Sequence, residues 1–146
     1  MGFKYWLIGL AIMGVSNLLI QIFVTSNIAE NEESVRTLIK SFPLYMLFAT
    51  CIYAPIVEET IFRKTLKEII GYNLIFVFVS GVLFGSLHVL GSMTSVTDLY
   101  YIIPYSSVGI AFAYLYYKTR NICSTIVMHF IHNTIFVTLE ILILFL

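Results

Sequence analysis

The sequence predicts an all-α fold, a polytopic membrane helical bundle of about five transmembrane helices, and three observations carry that prediction. The 146 residues are 60% hydrophobic and 11% charged, whereas about a quarter of the residues of a soluble globule are charged. The apolar residues come in long runs separated by short polar breaks, the pattern of helices that cross lipid. The breaks carry stop signals: Gly71, Gly91 and the polar stretch Lys118-Thr119-Arg120-Asn121. The length is that of one domain, 1–146.

The first run, Phe3 to Thr25, is longer than the apolar region of a signal peptide. Ser26-Asn27-Ile28-Ala29 offers no A-x-A cleavage pattern, so the run reads as a retained span. Asn17 and Gln21 share a face there, where intramembrane amides commonly bond another helix. The charge run from Glu30 to Lys40 reads as a solvated acidic loop. The second span starts at Pro43, a good first helical position, and continues to Ile70. Pro55 lies inside it and should kink it. The third, Leu74 to Leu90, carries Gly81 and Gly85. The fourth, Tyr101 to Tyr117, carries Gly109 and Ala113. Both pairs are small-residue faces that allow close helix contact. A polar loop holding Asp98 joins these two spans, and the fifth span runs to Leu146. Lys4, Arg63, Lys64, Lys67, Lys118 and Arg120 fall on one side of such an arrangement, and Arg36 and Lys40 on the other. That bias puts the N-terminus in the cytoplasm and the C-terminus outside. A net charge of zero without a basic tract excludes nucleic acid as the expected partner. Cys51 and Cys123 fit no metal or disulfide spacing and read as small core residues.

The residues that could do chemistry interrupt these spans. Glu58, Glu59 and Arg63 stand on the second, where each charge at membrane depth costs roughly 2.5–3.5 kcal/mol on insertion scales. Phe84 and His88 stand on the third. His129 and Asn133 stand on the fifth, with His132 beside them. Spacing of four puts each pair on one helix face. In a hairpin turning at Gly71-Tyr72, Glu58 and His88 lie roughly 20 and 24 Å from the turn, and His129 lies roughly 13 Å beyond Arg120. One polar pocket within the bilayer is therefore permitted. Taken singly, Glu59 and Arg63 could be a helix-end ion pair and each histidine a core residue; taken together, a shared site outweighs separate structural roles. A glutamate beside histidine can hold and deprotonate water, and a histidine with an asparagine one turn on can donate to an oxyanion. One Glu and two His also make a zinc set with an open position, though no H-E-x-x-H helix is present. A cation-coupled transporter could use the same residues.

At these positions the chain resembles the CPBP intramembrane proteases, which include the CAAX prenyl endopeptidases of the Rce type and the bacterial Abi and bacteriocin-processing or immunity proteins. Glu58-Glu59-Thr60-Ile61-Phe62-Arg63 matches E-E-x-x-x-R, Phe84-Gly85-Ser86-Leu87-His88 matches F-x-x-x-H, and His129-Phe130-Ile131-His132-Asn133 matches H-x-x-x-N. The likeness covers roughly residues 50 to 135, with the three motifs in order on successive spans. It implies a membrane endopeptidase opening toward the cytosol. Glu58 would activate water with His88, His129 and Asn133 would stabilise the oxyanion, and Glu59, Arg63 and Phe84 would support the site. The family is labelled metalloprotease and a metal-free mechanism is also proposed for it; a divalent metal such as zinc would take Glu58, His88 and His129. His132 is outside the pattern and reads as structural. Two departures are Lys64, where the family often has Gly, and five spans where relatives have six to eight. The missing helices would precede the first span; a small homologue that dimerises into a homo-oligomer and a truncated copy would look alike.

The leading expectation is a peptidase acting on a small membrane-associated peptide or protein. Residue usage and small size favour a member in a bacterial plasma membrane, cutting a peptide precursor, bacteriocin or signal. The alternatives are a non-catalytic bacteriocin self-immunity or peptide-binding protein and an ion-coupled transporter, the latter disfavoured because no inverted repeat is evident.

Overall fold

A computed structural model describes residues 2–145, and the expected end of the fifth span at Leu146 lies outside them. The helices are α1 (Gly2–Phe23), α2 (Glu30–Ser41), α3 (Pro43–Ile70), α4 (Leu74–Leu90), α5 (Ile102–Thr119) and α6 (Ile122–Phe145), with a 3-10 turn, Val96–Tyr101, leading into α5. The chain is thus an all-helical polytopic membrane bundle. By length and composition α1, α3, Val96–Thr119 and Ile122–Leu144 are sufficient to cross a membrane. At 17 residues α4 is shorter. It rises about 26 Å at 1.5 Å per residue, against a hydrocarbon core about 30 Å thick.

The bundle centres on α4 packed against α5. Gly81 is the reason they approach so closely: a Cβ there would lie 2.5 Å from the Ile110 backbone nitrogen. A Cβ at Gly109 would lie 2.8 Å from the Gly81 carbonyl. The expected small-residue faces therefore meet each other, and Ala113 is fully buried on the same side of α5. Gly9 of α1 adds a third close approach, with a Cβ there 2.7 Å from that of Ala111. Large apolar side chains such as Phe23, Leu44, Ile69 and Ile143 remain exposed on the outside, as a lipid-facing surface requires.

Two expectations change. The segment Glu30–Ser41 is a helix and not a loop. Val35 and Ile39 stand four apart on one face, and Ile39 packs with Met46, Cys51 and Val137. Glu30, Glu32 and Glu33 complement the positive end of the helix dipole, and Lys40 the negative end. The charge run concealed a narrow apolar stripe. Around Pro55, α3 widens into two π turns, Ala49–Tyr53 just before Ala54-Pro55 and Thr60–Thr65 after Glu59. Asn17 and Gln21 were expected to bond a neighbouring helix. In the described residues Asn17 instead faces a cavity and Gln21 is exposed.

Candidate active site

Glu58 and Glu59 are neighbours in sequence with opposite surroundings. Glu59 and Arg63 are both fully buried, one helical turn apart. The guanidinium grips the carboxylate through Nε to Oε2 at 2.9 Å and Nη2 to Oε1 at 3.2 Å. Its remaining arm, Nη1, donates to Ser80 Oγ at 2.6 Å. Ser80 in turn donates to the Phe62 carbonyl, which lies in the second π turn, at 2.6 Å. The Phe84 ring caps the cluster, 5.2 Å from the guanidinium carbon. This buried pair fixes the backbone register of α3 against α4.

Glu59 Oε1 also meets His129 Nδ1 at 3.0 Å. A carboxylate accepts, so Nδ1 carries the proton and Nε2 of the neutral ring carries the lone pair. His88 is set the same way. Its Nδ1 donates to the Phe84 carbonyl one turn back, at 2.9 Å. The two free Nε2 atoms converge on one oxygen: Glu58 Oε2 lies 3.8 Å from His129 Nε2 and 4.0 Å from His88 Nε2. That oxygen is buried and accepts no hydrogen bond from the described residues. A buried acceptor without a donor costs about 1–3 kcal/mol. A water with hydrogen bonds of about 2.8 Å would span these separations. The rings are held by stacking, His129 on Phe112 (4.9 Å, 30°) and His88 on Tyr105 (5.2 Å, 23°).

Asn133 stands on the same wall, with Nδ2 donating to the Thr50 carbonyl at 2.7 Å. The reason is legible in the backbone. In the first π turn the Ala54 N–H bonds back to Ala49 O, and Pro55, the next residue, has no N–H to offer. The Thr50 carbonyl is left without a helical donor, and the Asn133 amide supplies one. His132 accepts from Trp6 Nε1 at 3.1 Å through Nδ1, which places its own proton on Nε2.

Glu58, His88, His129, His132 and Asn133 line a cavity of about 260 Å3 together with Thr50, Phe84, Tyr105 and Phe112. A second chamber of about 270 Å3 adjoins it and shares Met13, Asn31, Val35, Thr50, Tyr105, His132 and Asn133. The second chamber is walled by α2, the second half of α1, Thr50 of α3, Tyr105 near the start of α5 and α6 from His132 to Glu140, so it lies toward the α2 end of the bundle, whereas the first reaches inward to Glu58, Phe112 and His129. Lys4, Lys64, Lys67, Lys118 and Arg120 lie at the other end.

The structure thus brings Glu58, His88 and His129 together, with Glu59, Arg63 and Phe84 behind them and Asn133 tethered beside them. Among the described residues, no three His, Cys, Asp or Glu side chains stand at ready metal-ligand spacing. Sequence reasoning missed Ser80, Thr50, Tyr105, Phe112 and Trp6. The Ser80–Arg63 link spans 17 residues and the Trp6–His132 link 126, so no local spacing announces either. Pro55 was the one available signal for Thr50.

Comparison with known proteins agrees with this picture. The family described as "Type II CAAX prenyl endopeptidase Rce1-like" matches residues 40–135. The chain is 32% identical over 115 residues to the "Putative membrane peptidase YdiL" of Bacillus subtilis (strain 168), an alignment covering 77% of this chain and 43% of that protein. It is 27% identical over 139 residues to the "Membrane-embedded CAAX protease MroQ" of Staphylococcus aureus (strain USA300), covering 89% of this chain and 53% of that one. The chain spans about half the length of the curated relatives it matches. No solved structure matches significantly. With a match across most of its length that contains all three motifs, the chain belongs to the Rce1-like family of CAAX prenyl endopeptidases.

Proposed function

We propose that this protein is an intramembrane endopeptidase that hydrolyses a peptide bond in a small membrane-associated peptide or protein. The single observation that carries the reading is the unpartnered Glu58 Oε2, faced by the Nε2 lone pairs of both His88 and His129. Glu58 accepts one proton of a water that His88 Nε2 orients through the other. The water oxygen attacks the scissile carbonyl carbon, and the carbonyl oxygen becomes the oxyanion. Asn133 has a second amide N–H besides the one spent on Thr50 to offer the oxyanion, and His129 joins it as a donor by taking a proton from solvent at Nε2 before the attack and keeping it throughout. Glu58 then passes its proton to the leaving nitrogen as the C–N bond breaks. In donor type and tautomer the same three residues suit a divalent ion such as zinc: Glu58, His88 and His129 would hold it, with Glu59 and the Phe84 carbonyl orienting the imidazoles from behind. Bound there, it would polarise the carbonyl and acidify the water.

The test is cleavage of candidate membrane peptides by the purified chain in lipid nanodiscs, beside Glu58→Gln. The substitution keeps the shape and removes the base, so turnover should fall about 100- to 10,000-fold. Equal peptide binding with no cleavage by either form would favour a sequestering, immunity-type role instead.

The second chamber lies beside α2, away from Lys64, Lys67, Lys118 and Arg120, so the charge bias and the expected cytosolic opening point to different sides for it. We take the charge bias as the guide, with the basic end cytoplasmic and the second chamber facing the outer side. Cys123 is exposed near Arg120, at the basic end. A membrane-impermeant maleimide applied to intact cells should leave Cys123 unlabelled and label Glu33→Cys on α2. The reverse pattern would put the site on the cytosolic side.

A further inference from the structure

The second chamber has a charge imbalance that the catalytic reading does not use. Its charged lining is Glu32 and Arg36 of α2 with Glu140 of α6. Arg36 Nη2 bonds Glu32 Oε1 at 2.8 Å. Its Nε stands 3.4 Å from Glu140 Oε1 but makes no hydrogen bond there. One cation therefore serves two carboxylates. The Glu140 side chain is 14% exposed, and no described residue donates a hydrogen bond to it. A carboxylate held among apolar residues without a full partner favours an incoming cation. Met13, Ile39, Phe136 and Val137 supply an apolar sleeve beside this charge, and the chamber shares His132 and Asn133 with the catalytic cavity. An aliphatic wall ending in surplus negative charge complements a long apolar stem that ends in a cation.

We propose that this chamber is a subsite for a lysine or arginine side chain of the bound peptide, with Glu140 as its specificity-determining carboxylate. That the cation belongs to a substrate rests on the peptidase reading above; the binding itself does not. Arg36 hydrogen-bonds Glu32, whereas it meets the more buried Glu140 only across 3.4 Å without a hydrogen bond.

The experiment uses the full chain in lipid nanodiscs and two probes that differ only in the ammonium, Nα-acetyl-lysine amide and Nα-acetyl-norleucine amide. The lysine probe should bind at least 10-fold tighter to wild type and to Glu58→Gln, read by thermal shift. Glu140→Gln should abolish that preference. Arg36→Gln removes the competing cation and should strengthen it, whereas a purely structural ion pair would weaken with either change. Equal affinity for the two probes in wild type, or an unchanged lysine preference in Glu140→Gln, overturns the subsite. If Glu140→Gln does not fold, Arg36→Gln decides alone: tighter lysine binding supports the subsite and weaker binding sinks it. Lysine-probe binding without cleavage of any peptide would leave the subsite standing and remove the peptidase reading. Cleavage with no preference for lysine over norleucine flanking the scissile bond would do the opposite.

Discussion

Arg63→Leu should leave a protein that cannot accumulate in folded form. The change removes the fork on Glu59 and the bond to Ser80, and strands a fully buried carboxylate with His129 Nδ1 as its remaining donor. Breaking one side of a buried ion pair costs about 3–5 kcal/mol, out of a total folding stability of about 5–15 kcal/mol. Arg63→Lys should fall between, because an ammonium cannot reproduce the two-pronged grip on Glu59 and also reach Ser80. The double variant Glu59→Leu with Arg63→Leu is the informative control. Replacing both members of a buried pair by apolar groups is often neutral or stabilising, so folded yield should return. Cleavage should not, since His129 Nδ1 would have lost the acceptor that sets its tautomer. Thermal unfolding in detergent, followed through Trp6, the only tryptophan, reads the first effect. A single Arg63→Leu variant melting within about 3 °C of wild type, less than about 1.5 kcal/mol for a chain of this size, would mean that the pair is dispensable.

Gly81→Ala should damage catalysis more than its size suggests. The added Cβ would sit 2.5 Å from the Ile110 backbone nitrogen and 2.7 Å from its Cα, and backbone cannot swing aside. Helices α4 and α5 must move apart by on the order of 1 Å, at a cost of about 1–3 kcal/mol. His88 is carried on α4, seven residues further along. A misplacement of about 1 Å in a reacting group can lower turnover about 100-fold. Gly14 offers the contrast within the same protein, since nothing lies within 4 Å of a Cβ placed there. Parallel kinetics of Gly81→Ala and Gly14→Ala should therefore separate, with only the first losing turnover; equal losses would refute the packing argument.

How much of this could be read from the chain alone depended on the range over which each cause acts. Helix stops at Gly71 and Gly91, the small faces at Gly81 and Gly109, and the i, i+4 pairing of Glu59 with Arg63 are local, and they stand in the structure where spacing put them. Counting helical rise permitted Glu58, His88 and His129 to share a depth; packing of α3, α4 and α6 is what turns them toward each other. The α2 helix was hidden because its apolar stripe, led by Val35 and Ile39, is thinner than its charge pattern, and only packing against α3 and α6 reveals it. Ser80 was invisible for another reason. A serine within an apolar span has many structural uses, and nothing local marks it as the third contact of an arginine on another helix. The second chamber was out of reach because it is bounded by five separate helices, of which α2 had been assigned to solvent.

The proline within α3 has a wider consequence. An imino nitrogen on one helix creates an unmet acceptor, and an amide on a helix far along the chain is aimed by answering it. Part of the candidate site's geometry is thus encoded in a ring that does not line its cavity. Among chains that carry the same three motifs, those with a different residue at this place should hold their asparagine by some other tether, or leave it unanchored.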